Sequence, residues 1–525
     1  MSQATIPSPA AQEQGYLAKA KQVVPRFTSE EKRNLVFYIT GIMLYKFGLE
    51  SFNGTIKALA LERLAKSEKF TMTGYLDGFN QALQCVGSIV VAPLLVRFPI
   101  RAILAFAIAC FAVISCIPMI IEGATGGKAP QWTDDGKAVV GAWNPRIVVP
   151  IFAISGLTHG MVEIIRRIIP RDMVGGNVMK LKRMDSMVHI FYEVAGTGGA
   201  FFATFMALNL GKAFAPITTP FCFVGAALLW SRIKVTSEEA QQLSDVPDGA
   251  HGGVISGILG AFASFGTSVA FGAKIIFTDR RFTWLIFGYS IPLVLHRYIE
   301  NGVAANYAQL VLGEASYGPL IVGGSNFGEL CGAFFVFLFT STIKTPLPWL
   351  RLDALTLSIA WVYSAITPTG LGITPLATAW VLAAIMVTIS FGWAAGDVSL
   401  SAFIQSHVSK SAHNRKTSTL GAVMSFLYVT YIVIYAVISP VIGNWLDSMK
   451  ADKIHQQEEY LKWIPGVMFT CTGVIIFAST FWPKGSFAFN PTLEDEYPEN
   501  EAEAVQHEEV DDKKKQPVNV MEELM

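Results

Sequence analysis

Lys46 and Glu50 stand four residues apart in the stretch YKFGLESFN, inside an apolar run that begins near Leu35. That spacing puts both side chains on one helix face. A charge at membrane depth costs about 2.5–3.5 kcal/mol on insertion scales, so it faces a bundle interior or a watery cavity and marks a site by default. His296, Arg297 and Glu300, followed by Asn301, form a similar group later in the chain, at an offset of 300 − 50 = 250. Asp77, His189, Glu193, Glu329 and Asp397 also lie away from the ends of their apolar runs, and Asn53 adds an amide beside the first pair. A carboxylate in a cavity can take up or release a proton as its surroundings change, and a basic neighbour can hold an anionic group. The chemistry on offer is proton exchange and the holding of a small charged solute. The alternative reading of Lys46–Glu50 and His296–Glu300 is a pair of internal ion pairs that only fix helix packing. Arg97, Arg101, Glu163, Arg166 and Arg167 cluster near the basic ends of their runs and are expected to form a gate.

No catalytic pattern competes with this. The chain has no GxSxG, P-loop or HExxH motif, and its six cysteines and eight histidines show no metal-ligand spacing. The expectation is therefore no enzyme, no cofactor, no metal and no direct use of ATP. Forty basic residues balance forty acidic ones, so charge gives no argument for nucleic acid.

The elements that must carry these residues are membrane helices. Of the 525 residues, 52% are hydrophobic and 15% charged, against about 25% charged in a soluble domain. Mean hydropathy is +0.43. A bilayer-spanning helix needs about 20 mostly apolar residues. Twelve such blocks are expected, at 35–56, 76–97, 101–122, 147–168, 184–209, 214–232, 284–311, 318–342, 351–370, 376–403, 418–445 and 463–482. They divide the chain into a polar N-terminal tail (1–33), a six-helix half (34–232), a linker (233–283), a second six-helix half (284–482) and a charged C-terminal tail (483–525). The tail at 1–33 lacks the composition of a cleaved signal peptide. Basic residues gather in the even-numbered connections, which places both termini in the cytoplasm. The linker's Gly/Ala/Ser/Phe-rich part is expected along the membrane surface. Matches between the halves suggest a repeat: Gln84 with Glu329 at 329 − 84 = 245, Gly87 with Gly332 at 332 − 87 = 245, and Glu163 with Asp397 at 397 − 163 = 234.

With twelve spans, a central linker, two related halves and a basic turn carrying Arg97 and Arg101 between spans two and three, the chain resembles the major facilitator superfamily. Val96 stands where that turn usually has an acid, and the Gly196-Thr197-Gly198-Gly199 cluster resembles the antiporter motif without its proline. No subfamily is assigned. The resemblance implies an all-α secondary transporter whose two bundles rock about a site near the bilayer midplane. The expectation is a monomer in a lipid bilayer, of the plasma or vacuolar membrane, moving a small polar or amphiphilic organic solute with protons as the coupling ion. Lys46, His296 and Arg297 favour an anion or zwitterion over a cation. The alternatives are an uncoupled facilitator, a transport-dead receptor or scaffold, and an intramembrane enzyme acting on lipid.

Overall fold

Thr28 opens the first helix with a capping box: its hydroxyl accepts the Glu31 amide at 3.1 Å, and the Glu31 carboxylate accepts the Thr28 amide at 2.6 Å. The helix, α1 (Ser29–Arg63), rises about 50 Å at 1.5 Å per residue, more than a bilayer core needs. The computed structural model describes residues 27–95, 97–173, 178–233, 254–339, 343, 345–408, 419–449, 453–483 and 485–491. Both tails beyond these, and most of the polar part of the linker, lie outside the described residues. The chain continues as α2 (Lys69–Leu95), α3 (Ile100–Ala124), α4 (Val148–Met173), α5 (Val178–Leu210), α6 (Thr218–Trp230) and α7 (Val254–Thr278). The segment at 284–311 is interrupted: α8 (Ile291–Tyr298) and α9 (Ala304–Leu310) flank a π-helical turn over Ile299–Val303. Then come α10 (Gly318–Phe339), α11 (Leu347–Thr356), α12 (Pro375–Val408), α13 (Thr419–Ser448), α14 (Lys453–Leu461) and α15 (Phe469–Ser479).

Among the described residues, ten helices are long and apolar enough to cross a membrane, making this an integral multi-pass membrane protein. The blocks expected at 214–232, 284–311 and 351–370 appear instead as a shorter helix or as interrupted segments. Buried apolar side chains form two main clusters, one drawn from 38–233 and the other almost wholly from 276–476. Each part of the chain thus packs its own core.

One of the ten, Ile255–Thr278, falls within the expected linker. Its neighbours show how it lies. Antiparallel packing of α2 on α13 puts Gly443 level with Phe70, Gly74 with Pro440 and Gly78 with Ala436, so Pro93 comes level with the Ala422 region. Gly257 of α7 approaches Pro93 and Gly272 approaches Ala422. The two glycines are 272 − 257 = 15 residues apart, about 22 Å along a helix, yet they sit at one depth. α7 therefore lies across the ends of α2 and α13, in the plane of the membrane, with Ile255, Leu259 and Phe277 exposed. An apolar in-plane helix suits the interface. The face of the bundle that α7 crosses is called the linker side below, and the opposite one the far side.

The two parts also share a packing device. A Cβ on Gly87 would meet the Leu157 carbonyl, and Gly160 and Gly156 stand in the same way against Gln84 and Asn80, so α2 and α4 touch backbone to backbone. Gly332 stands against Phe391, Gly328 against Val387 and Gly324 against Ala383, joining α10 to α12. The offsets repeat: 332 − 87 = 245 and 391 − 157 = 234, the same two values found by matching side chains in the sequence. Asn80 bonds Ser155 at 3.3 Å, and at the matching place Ser325 bonds Ser390 at 2.6 Å. Small residues allow this approach without a bulky side chain between helices. Gly87→Val and Gly332→Val should each destabilise the protein by about 1–3 kcal/mol, the usual cost of overpacking. Both should lower the midpoint of thermal unfolding in detergent; an unchanged midpoint in either would contradict the contact.

Candidate functional site

Residues 46, 50, 53 and 57 of α1 recur every three to four positions, which makes Lys46, Glu50, Asn53 and Lys57 one polar stripe along the helix. Lys46 Nζ binds Glu50 Oε1 at 2.5 Å and lies 4.6 Å from the centre of the Tyr192 ring on α5. Gly196, one turn beyond, leaves the path of that lysine open: a Cβ there would come within 2.5 Å of Lys46 Cε and 3.3 Å of Asn326 Nδ2 on α10. The glycine thus sits where the two parts of the chain meet. Glu193, one turn before it, is 3% exposed and its Oε2 has no hydrogen-bond partner; Asn326 Nδ2, in a residue 5% exposed, has none either.

Across the junction, Arg297 Nη1 donates to Glu300 Oε2 at 2.9 Å, and Ser325 Oγ donates to Glu300 Oε1 at 2.7 Å. The Arg297 side chain remains 43% accessible although it stands at mid-segment, whereas Glu300 is 5% accessible. Such access in the middle of a membrane bundle means a hydrated cavity. Glu329, half-buried on α10, feels Glu300 and Arg297 from its own part and Glu193 and Lys46 from the other. Glu193 in turn feels Lys46, Glu50, Arg166 and Arg297. Lys46, Glu50, Glu193, Arg297, Glu300 and Glu329 all stand near the middle of their segments. They form one mid-depth group of two cations and four carboxylates. Neither Glu193 nor Glu329 has an ion pair among the described residues.

The pairing expected between His296 and Glu300 is absent. His296 Nε2 meets Asp353 Oδ1 of α11 at 2.8 Å and its ring stacks on Trp393 at 5.1 Å, inside the second core. Its neighbour Arg297 takes Glu300 instead. The π-helical turn that begins at Ile299 changes the register of the helix, so a four-residue spacing no longer holds two side chains on one face. Asp77 does join the junction: Lys57 Nζ binds its Oδ1 at 2.9 Å and donates to Asn301 Oδ1 across the interface. A cavity of about 10 Å³, room for about one water, lies beside Asp77 among Tyr298, Gly302, Asn306 and Ser439.

Of the expected gate, Glu163 and Arg166 border the six-residue group on its linker side, where the Tyr38 hydroxyl near the start of α1 donates to the Arg166 carbonyl. Arg166 Nε binds Glu163 Oε2 at 2.6 Å, Tyr192 donates to Glu163 Oε1 at 3.0 Å, and the Arg166 guanidinium lies 4.4 Å from the Tyr192 ring that Lys46 also covers. Arg101 donates to the Ile233 carbonyl at 3.4 Å, tying the start of α3 to the chain beyond α6. Arg97 lies in the α2–α3 turn, while His189 is half-buried on α5 one turn before Glu193, and Asp397 is half-buried towards the linker end of α12. The side chain of Arg167 lies outside the described residues. Lys57, Asp353 and Asn326 are the residues that the sequence reading missed. The 46-50-53-57 spacing could have revealed Lys57; no local signal marks the other two.

Two clasps close the far side. Asp447, at the end of α13, accepts the Phe70 amide at 3.2 Å and the amide and hydroxyl of Thr71 at 2.8 and 2.7 Å, satisfying donors at the start of α2. Lys212 bridges Glu62 at 3.1 Å and Glu314 at 2.9 Å. Burial pushes the Glu314 carboxyl up, but the Ser316 amide and the Lys212 ammonium hold it below its ordinary value. This clasp is therefore intact at neutral pH and is lost only as pH falls through that lowered value.

No family model and no curated protein matches the sequence. Solved structures do match. A D-xylose-proton symporter is similar over 87% of this chain and 98% of its own, at 13% identity and a TM-score of 0.56. A point mutant of the nucleoside transporter NupG matches over 87% of this chain and 100% of its own, at 12% identity and a TM-score of 0.57. The chain has the major facilitator fold. A POT family transporter in complex with a thioalcohol-conjugated peptide shares it, at 12% identity and a TM-score of 0.52 over 85% of this chain and 96% of its own. The six-residue group stands at the junction of the two parts, near the middle of the segments that carry it.

Combining Asp447→Asn with Glu314→Gln should open the far side. Hydrogen bonds to charged groups contribute about 1.5–3 kcal/mol each, so labelling of Ser439→Cys by a membrane-impermeant thiol reagent should accelerate about tenfold or more. An unchanged rate would show that these clasps do not hold the far side shut.

Proposed function

We propose that this chain is a secondary active transporter that moves a small polar organic solute across a membrane, coupled to protons, by alternating access of two six-helix halves. The linker side faces the cytoplasm in this reading, as the basic connections suggest. The observation that carries it is the mid-depth charge group at the junction, in which four carboxylates face two cations. The solved structures of similar fold are named as transporters, one of them a proton symporter.

Glu50 and Glu300 are each held by a cation one turn away, so they serve to position Lys46 and Arg297. Coupling falls to Glu193 and Glu329. The groups facing Glu193 are Lys46 and Glu50 on α1, Arg166 on α4, Arg297 on α8 and Glu329 on α10; those facing Glu329 are Glu300, Arg297, Glu193 and Lys46. A carboxylate that lacks a fixed counter-ion must find a proton or a solute cation whenever water leaves the cavity. That requirement ties closure to occupancy. The inter-half bonds of Lys57, Asp447 and Lys212 run from mid-depth to the far side, which favours the state that loads and unloads on the linker side.

In proteoliposomes, an imposed pH gradient should drive accumulation of the solute. Glu193→Gln and Glu329→Gln should each abolish gradient-driven accumulation, and any exchange of labelled for unlabelled solute that persists at saturating solute should no longer depend on pH. If both variants still accumulate solute under the gradient, proton coupling by these residues is wrong.

A further inference from the structure

We infer that the solute is a small zwitterion, its ammonium received between Glu193 and Glu329 and its acceptor end by Arg297 and Asn326. This rests on the transport reading and names the substrate class of the same site. Three cations offered themselves to a solute anion: Lys46, His296 and Arg297. The structure engages two of them elsewhere. Lys46 holds Glu50 at 2.5 Å while covering Tyr192, and His296 is 1% exposed, bonded to Asp353 and stacked on Trp393 in the second core. Arg297 alone of the three keeps an accessible side chain, at 43%, and its hydrogen bond to Glu300 uses one N–H of five. Its planar guanidinium suits a carboxylate. A second donor faces the junction: Asn326 Nδ2 has no partner, in a residue 5% exposed, and lies 3.3 Å from where a Gly196 Cβ would stand.

The opposite demand comes from the acids. Glu193 Oε2 is buried without a hydrogen bond, and Glu329 has no ion pair among the described residues; the approach of Gly196 to Asn326, about one turn from each acid, brings α5 and α10 together there, and Glu329 feels Glu193 across the junction. An unmatched buried acceptor costs about 1–3 kcal/mol, more for a charged group. An ammonium supplies three donors and one positive charge, which two facing carboxylates can use. A solute with only an anionic end would leave the acids unmatched, and one with only a cationic end would leave the Asn326 donor and the free face of Arg297 unused. Both needs are met by one molecule carrying both groups.

The test uses the purified full-length chain in detergent and thermal unfolding as the readout of binding. Probes are glycine, L-alanine and 4-aminobutyrate, with ethylamine and butylamine as amines lacking the carboxylate, and acetate and butyrate as acids lacking the amine. At least one amino acid should raise the unfolding midpoint saturably, and its single-charge counterparts should fail at tenfold higher concentration. Glu329→Gln should weaken that binding at least tenfold; if this variant does not fold, Glu329→Asp is the substitute, with a smaller but measurable loss. Arg297→Lys, which keeps the charge but not the planar fork, should weaken it as well. Equal binding of an amine or an acid, or no shift with any probe, overturns the inference. If an amino acid binds but no pH gradient drives its uptake, the coupling reading fails and this one stands. If gradient-driven uptake is found only for a sugar or a simple anion, the reverse holds.

Discussion

A bare charge in hydrocarbon is so costly that each ionisable side chain at mid-depth must be matched, hydrated or put to use. That constraint orders this molecule. Lys46 is matched by Glu50, Arg297 by Glu300, Lys57 by Asp77, Arg166 by Glu163 and His296 by Asp353. Glu193 and Glu329 have no ion pair among the described residues, and Glu329 feels Glu193 across the junction. Among the described residues, every other member of the group has a fixed counter-ion, and the proposed coupling role falls to these two. The glycines serve the same end: Gly196 gives Lys46 its route between α1 and α5, and the paired glycine contacts of α2–α4 and α10–α12 make two firm bodies.

Two firm bodies joined at a charged seam are what a rocking mechanism requires. The far side is tied by a carboxylate at a helix start and by a lysine shared between two acids, both breakable by small movements. On the linker side, α7 lies flat across α2 and α13, touching both parts of the chain at one depth. Movement of one part against the other must therefore carry or strain α7.

Much of this was legible before the structure. Most of the apolar blocks and the repeat offsets of 245 and 234 could be read, and the glycine contacts reproduce those offsets in packing. Lys46–Glu50 could be read because an undisturbed α-helix preserves a four-residue spacing. His296–Glu300 could not, because the π-helical turn at Ile299–Val303 leaves no mark in the residue types. Asp353 was hidden by its place two residues after Arg351, where an acid looks like part of a helix end, and the contact of Glu163 and Arg166 with Tyr192 left no local mark because it joins helices well apart in sequence. The in-plane course of α7 agrees with the expected surface position. Its apolar content alone would equally suit a span; only its two contacts at equal depth decide between them.

Proton exchange on binding tests the central claim most directly. A pH-sensitive dye in weakly buffered detergent solution should report a proton taken up or released when a binding amino acid is added to the parent chain. The exchange should be lost in the Glu193→Gln, Glu329→Gln double variant. Binding with no proton exchange in the parent, or an undiminished exchange in the double variant, would contradict the role given to the two unmatched carboxylates.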